Sequence, residues 1–221
     1  MYRLRKTIEH RLQASLDDKN VLLREIHHRV KNNMQIVTSL LYLQEHAVRD
    51  RVGDVALDAF QQSRARIKAM AAIHERLYRS SSFTSIDFDE YLNALIPELL
   101  RSYRVAETVT VQISARGVEL GIDAAVPCAL IVNELFTNCL KHAFPQGQPG
   151  NIEVMMRRIA GDRVELTVTD DGVGFPYEQG LQAPATLGLR LVVDLASQLD
   201  GTASLVKGQG TKVRVAFSRL Q

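Results

Sequence analysis

Residues 133–144 read NELFTNCLKHAF. At about 100° per residue in a helix, Asn133, Thr137, Lys141, Glu134, Asn138 and His142 fall on one contiguous arc. Val132, Leu135, Phe136, Cys139 and Leu140 fall on the other. A merely solvated face usually carries Glu, Lys and Arg, whereas amides in a helix interior compete with the backbone for hydrogen bonds. A carboxylate, two amides, an ammonium and an imidazole on one arc therefore mark a candidate site, and hard oxygen ligands beside a lysine suit Mg²⁺ bridging phosphates.

Downstream, residues 164–176 read VELTVTDDGVGFP. Val164, Leu166 and Val168 share one face of a strand, and the same parity turns Asp170 toward the core while Asp171 points away. Gly172 and Gly174 allow the chain to pass close to a ligand. Thr211, in GQGTKVRVAF, shares parity with Val213, Val215 and Phe217, so its hydroxyl faces inward and can reach the same ligand as Asp170. Between them Thr186, Leu187, Gly188 and Leu189 open a helix, whose first N–H groups can bind phosphate.

Period separates two regions. From Tyr2 to about Arg79 there is no Pro and a single Gly, and apolar residues recur at helical spacing. Leu16, Leu23, Val30 and Val37 repeat every seven residues, with Leu12, Ile26 and Leu40 as heptad companions, which is a coiled-coil seam. Leu22, Ile36 and Leu43 on one side and Met34 and Leu41 on the other widen the stripe to the width of a four-helix bundle. Gly53 with Asp54 as N-cap starts a second helix marked by Ala56, Phe60, Ile67, Met70 and Leu77. Two helices are half a bundle, so a second copy of the chain is expected to complete it.

Ser80 to Ser82 reads as a linker, which divides the chain into a helical hairpin over 1–80 and an α/β domain over 83–221. In the latter, a helix is expected over Asp89 to Arg104, a strand over Val109 to Ile113, and a helix over Ala124 to Phe144. A hairpin of Ile152 to Ile159 with Arg163 to Thr169 turns at Gly161-Asp162. A helix from Leu187 to Leu199, closed by Gly201, precedes a last hairpin around KGQG. Hairpin-paired strands with segregated helices define an α+β chain whose second part is an α/β sandwich with a mixed sheet.

With 221 residues, 46% apolar and 24% charged, the chain sits in the globular range, and its net charge of +2 gives no nucleic-acid surface or polybasic membrane patch. The run Ala124 to Val132, interrupted by Pro127, is too short to span a bilayer, and the charged N-terminus has no apolar h-region. A cytoplasmic chain without a membrane segment is expected. Cys128 and Cys139 would lie roughly 16 Å apart along one helix, too far for a disulfide.

In order and spacing these segments resemble the nucleotide-binding (Bergerat) domain of the GHKL ATPases, in particular of histidine kinases. NELFTNCLKHAF is similar to the N box, DDGVGF to the G1 box, TLGLRLV to the G2 box and GQGT to the last glycine box. The resemblance implies ATP and Mg²⁺ as cofactors. It gives Asn138 the metal, Glu134 the metal and water shell, Lys141 the phosphates, Asp170 the adenine amine and Thr211 its support. One departure concerns the lid, about Phe175 to Leu187: Pro184 and Thr186 replace the first glycines of the G2 box, leaving Gly188.

In the first helix the heptad places Val21, Arg24, Glu25, His28, Lys31, Asn32 and Gln35 opposite the seam, whereas His27 lies in line with Met34 and Leu41 at the apolar edge. EIHHRVKNN resembles the phosphoacceptor box of the HisKA_2 subgroup of sensor histidine kinases, sister to the HWE kinases, whose modified histidine precedes Arg and maps to His28. The chain lacks the Trp of true HWE members. Arg29 stands where many histidine kinases carry an acidic base. Glu25, one turn back, can orient the His28 ring, and Asn32, one turn forward, can hold a water or a phosphoryl oxygen. His10, His46 and His74 read as structural.

The resemblance thus implies an ATP-dependent histidine autokinase that phosphorylates His28, donates to an aspartate of a response-regulator receiver domain, and forms a homodimer through the hairpin. A histidine phosphotransfer protein that has lost ATP binding and an anti-sigma-type GHKL serine kinase are the alternatives. The retained Asn138, Asp170, Gly172, Gly174 and Thr211 count against the first, and the long helical pair against the second.

Overall fold

The computed structural model describes residues 26, 29–46, 48, 53–79, 85–103, 108–161, 163–175, 181 and 186–218. Glu25, His27 and His28, and most of the expected lid, lie outside the described residues. The chain divides into two compact units between Arg79 and Ser80.

The first unit contains helix α1, residues 29–46, and helix α2, Asp54–Arg79. Lys31 pairs with Glu75 at 3.0 Å and Glu45 with Arg64 at 2.6 Å, so the helices run antiparallel. Lys31, Met34, Thr38, Leu41 and Glu45, spaced three and four apart, form the sheltered side of α1. This corrects the polar face expected for Lys31: its ammonium turns toward α2, because the Met34–Leu41 edge rather than the heptad seam is the side that meets α2. The seam itself is open, with Ile26 54%, Val37 45% and Leu40 54% exposed, and Ile36 and Leu43 beside it at 58% and 61%. Glu45 is buried, and the Arg64 guanidinium that pairs with it also lies 4.9 Å from the Tyr42 ring centroid. At the start of α2 the Gly53 carbonyl accepts from Ala56 N–H at 3.0 Å, so Gly53 takes the cap position expected of Asp54.

The second unit is a two-layer sandwich. Its elements are β1 (Ile86–Asp87), α3 (Phe88–Tyr103), β2 (Val109–Ser114), β3 (Glu119–Leu120), α4 (Ile122–Asn138), β4 (Gly150–Ile159), β5 (Arg163–Asp170), α5 (Leu187–Gln198), β6 (Thr202–Leu205) and β7 (Thr211–Phe217). The main sheet has the order β2-β4-β5-β7-β6. β2 runs parallel to β4 and every other pairing is antiparallel, giving the mixed sheet expected. Alternation builds the core: Ile152, Val154, Met156, Val164, Leu166, Val168, Val213, Val215 and Phe217 are all buried on the helix side. The opposite face carries Arg157, Glu165 and Arg214, with Arg157 donating to Glu165 at 2.7 Å.

Two helix ends differ from expectation. α3 begins at Phe88, because the Asp87 carboxylate accepts from the backbone N–H of Asp89 at 2.9 Å and of Glu90 at 3.1 Å. α5 ends with Asp200, not Gly201, in the left-handed region at φ 52°, while Gly201 N–H donates to Ala196 O at 2.9 Å. Gly201 is needed for space, since a Cβ there would lie 2.5 Å from Ala216 O.

The helix expected over 124–144 becomes α-helix to Asn138 and then a π-turn, Cys139–Ala143. Taken together, Ile122–Ala143 is long and apolar enough to cross a membrane by length and composition, which corrects the shorter run counted from sequence. Its most apolar stretch is 78% buried, as in a core helix.

Candidate functional site

The end of β5, the π-turn and the starts of α5 and β7 enclose a cavity of about 260 Å³. Its apolar wall includes Leu135, Val168, Leu181, Leu189, Leu205 and Val213, and its polar groups are Asn138, His142, Asp170, Thr186 and Thr211. Apolar walls with a few convergent polar groups are what a small-molecule site requires.

Asp170 is the most sheltered of these, at 3% exposure. A buried carboxylate needs donors: its Oδ1 accepts from the backbone N–H of Gly172 at 3.0 Å and of Thr211 at 3.1 Å. The register pairs Asp170 with Thr211 directly, which brings the Thr211 side chain to the same cavity. Asp171 is exposed, as the parity requires, but it is not idle. Its carboxylate accepts from the Asn151 backbone at 2.7 Å and from Asn151 Nδ2 at 2.6 Å, tying β5 to the start of β4. The Asn151 backbone N–H, followed by the Asn151 side chain, holds its pKa below the usual carboxylate range.

The glycines act mainly on backbone. A Cβ on Gly172 would collide with the Ala143 carbonyl, and Val173 N–H donates to that same carbonyl at 2.9 Å. Gly172 thus locks the G1-like loop against the π-turn, a different use of its small size from the ligand approach expected. Gly174 has φ 84° and its Cβ position lies 3.3 Å from Gly210 O.

The polar arc of α4 is not a solvated face, and it is split. Asn138 and His142 open on the cavity, together with Leu135 and Cys139, which an arc drawn at about 100° per residue assigns to the apolar side. Asn133, Glu134 and Thr137 are buried, with Asn133 Nδ2 donating to Glu134 at 3.3 Å. Lys141 does not line the cavity; its Nζ lies 5.7 Å from the Tyr103 ring centroid. A π-turn advances less than an α-helix per residue; within it His142 stays on the cavity side with Asn138 while Lys141 leaves it. Among the described residues no group of three or more His, Cys, Asp or Glu can hold a metal by itself.

At α5, Thr186 is the N-cap: its hydroxyl accepts from Leu189 N–H at 3.3 Å. That assigns the Leu189 donor to the helix, leaving Leu187 and Gly188 as the first-turn N–H groups of the expected phosphate contact. Asn32 is exposed on α1 beside exposed Gln35, and the expected partners Glu25 and His28 lie outside the described residues. Cys139 and Leu135 line the cavity although the sequence sets both on the apolar arc, and Ala143, Leu181 and Leu205 line it without having been singled out. Leu135 sits where the polar and apolar arcs of α4 meet, whereas Cys139 falls inside the apolar one.

A mixed-sheet sandwich with an anchored carboxylate at the floor of an apolar cavity, in a chain that also carries a helical pair, is a module with a built small-molecule site. Residues 25–103 match the family model described as Histidine kinase, and residues 96–217 match Histidine kinase-like ATPase domain, so the chain belongs to the histidine kinase family. It is 32% identical over 210 residues to Sensor histidine kinase PdtaS of Mycobacterium tuberculosis, covering 92% of this chain and 40% of that protein. It is 25% identical over 197 residues to Blue-light-activated histidine kinase 2 of Erythrobacter litoralis, covering 87% of this chain and 56% of the relative. Among solved structures, the histidine kinase domain of an Erythrobacter litoralis blue-light activated histidine kinase superposes with a TM-score of 0.64 at 22% identity, over 81% of this chain and 95% of that one. The chain therefore spans less than half the length of its mycobacterial relative.

Proposed function

We propose that the chain is the ATP-dependent histidine autokinase core of a two-component system, phosphorylating His28 and passing the phosphoryl group to an aspartate of a response-regulator receiver domain. The observation that carries it is the Asp170 carboxylate, held by two backbone N–H groups at the floor of an apolar cavity, in a chain of this family. An apolar wall suits a heteroaromatic base, and an anchored carboxylate accepts from an exocyclic amine.

In this reading Asp170 and Thr211 select adenine, while His142 and the Leu187 and Gly188 N–H groups receive the phosphates. Gly174 keeps the loop after β5 clear of them. Asn138 supplies a metal ligand from the cavity wall, Glu134 supports it from the buried side, and Lys141 reaches the phosphates by leaving Tyr103. Mg²⁺, when bound, neutralises phosphate charge, and a site of one or two protein oxygens completed by phosphates and water is ordinary for that ion. His28 acts as a neutral imidazole nucleophile, oriented by Glu25, with Asn32 holding the incoming oxygen. The open seam of Ile26, Val37 and Leu40 is the surface through which two copies form a four-helix bundle.

Incubation with γ-labelled ATP tests the proposal. Acid-labile, alkali-stable label is expected on the wild type and on His27→Gln, and none on His28→Gln with nucleotide affinity unchanged. Full labelling of the His28 variant would refute the assignment.

A further inference from the structure

Asn133 and Glu134 are consecutive residues of α4, 1% and 3% exposed, and Asn133 Nδ2 donates to Glu134 Oε1 at 3.3 Å. We propose that Asn133 is a positioning residue, whose side-chain amide holds the Glu134 carboxylate on the buried side of α4, one helical turn before Asn138. The inference rests on the nucleotide reading above, in which Glu134 supports the metal ligand Asn138.

Asparagine is a costly choice at this place. Its side chain is disfavoured in a helix interior, and burying an amide gives up hydrogen bonds to water that the protein has to replace. Asn133 replaces few of them. Among the described residues its Oδ1 has no hydrogen-bond partner, so this oxygen does not tie α4 to a neighbouring element. Its donor goes to the next residue of the same helix, and the orientation of the amide follows, because a carboxylate accepts and only the nitrogen end can donate to it. Thr137, the nearby buried hydroxyl, does not compete for Glu134: it donates to the backbone carbonyls of Asn133 at 2.7 Å and of Glu134 at 3.2 Å.

Successive residues of a helix point about 100° apart and do not normally face each other. The two side chains meet because that of Glu134 bends back toward Asn133. The bond thereby selects one of the many rotamers open to a glutamate, one in which the carboxylate stays off the cavity wall that Asn138 lines. A carboxylate already held in place has no reorganisation left to undergo when charge builds up beside it.

Asn133→Leu keeps the shape of the side chain and removes both donor and acceptor; Asn133→Ala removes them with no risk of overpacking. For these variants and wild type, the whole chain is to be assayed for autophosphorylation rate at saturating ATP, KM for ATP, affinity for a non-hydrolysable ATP analogue with Mg²⁺, and thermal unfolding. Loss of one hydrogen bond predicts a rate about three- to tenfold lower in both variants. KM and analogue affinity should stay near the wild-type values, and the Leu variant should unfold at or above the wild-type temperature, since it no longer buries an amide. A structural asparagine predicts the reverse, a lower unfolding temperature with the rate of the folded protein unchanged. Wild-type rates in both variants, or a fall in rate matched by an equal fall in analogue affinity, would overturn the role of Asn133 while leaving the nucleotide reading intact. Failure of the wild type to bind the analogue would remove both.

Discussion

Asp170 and Thr211 stand opposite one another across β5 and β7, and the Thr211 backbone N–H donates to Asp170 Oδ1 at 3.1 Å while the Thr211 side chain lines the same cavity. The pairing aims a charged acceptor at a base from a rigid sheet rather than from a loop. In Asp170→Asn the amide oxygen can keep the Gly172 and Thr211 bonds, so the variant removes charge and one acceptor without dismantling the loop. Affinity for an ATP analogue should fall by about tenfold or more, a charge-assisted hydrogen bond being worth ~1.5–3 kcal/mol. In the wild type ATP should be preferred to GTP by on the order of a hundredfold, because GTP offers a carbonyl oxygen to the same carboxylate. Asp171→Asn should leave both affinities nearly unchanged; a larger loss there than at Asp170 would contradict the site.

Asp171 carries a pH dependence instead. Its folded pKa lies below the unfolded value because Asn151 donates to the ionised form. A depressed carboxylate adds stability that is fully present above the unfolded pKa of ~3.9. That stability is lost as pH falls through the lower, folded value. Denaturant midpoints of wild type and Asp171→Asn should therefore differ near neutrality and converge in acid. A gap that persists unchanged below both values would show that the contact does not depend on charge.

Gly172 is limited by space, not by backbone conformation, since the collision is with the Ala143 carbonyl. Gly172→Ala should destabilise the second unit by roughly 1–3 kcal/mol, the usual range for overpacking. Gly161→Ala is the contrast: φ there is 76°, but nothing lies within 4 Å of the Cβ position. Only the first should also weaken ATP-analogue binding, because it pushes the β5 loop off the π-turn. Titration and chemical unfolding of the pair distinguish the two effects.

The open seam of α1 predicts self-association. Ile36, Val37, Leu40 and Leu43 are exposed large apolar residues at neighbouring positions of α1, and clustered exposed apolar side chains mark an interaction surface. Light scattering should report a dimer for the wild type and a monomer for Val37→Glu/Leu40→Glu, with ATP-analogue affinity retained. A wild type that remains monomeric at high concentration would contradict the four-helix bundle.

Local pattern was enough for much of this protein. Period two identified β4, β5 and β7 and the inward parity of Asp170, because alternation on a strand is a geometric necessity. Helical spacing identified α1, α2, α4 and α5, and the order of the four nucleotide-box motifs points to the family. Asn138, His142 and Thr211 could be named from position alone, since each sits at a fixed offset from a regular element that carries it to the cavity.

What the sequence could not determine depends on contacts between distant segments. The π-turn meets the loop after β5 at Ala143, whose carbonyl accepts from Val173 N–H, and its sequence carries no local signal that separates it from a uniform helix. Lys141, in this turn, lies against the Tyr103 ring and not on the cavity wall. The partner of Asp171 and the collision that Gly172 avoids are likewise tertiary facts. So is the side of α1 that meets α2, where three apolar stripes compete and packing with ion pairs to Glu75 and Arg64 decides. Periodicity tells a residue which face of its own element it occupies; only the fold tells it what that face meets.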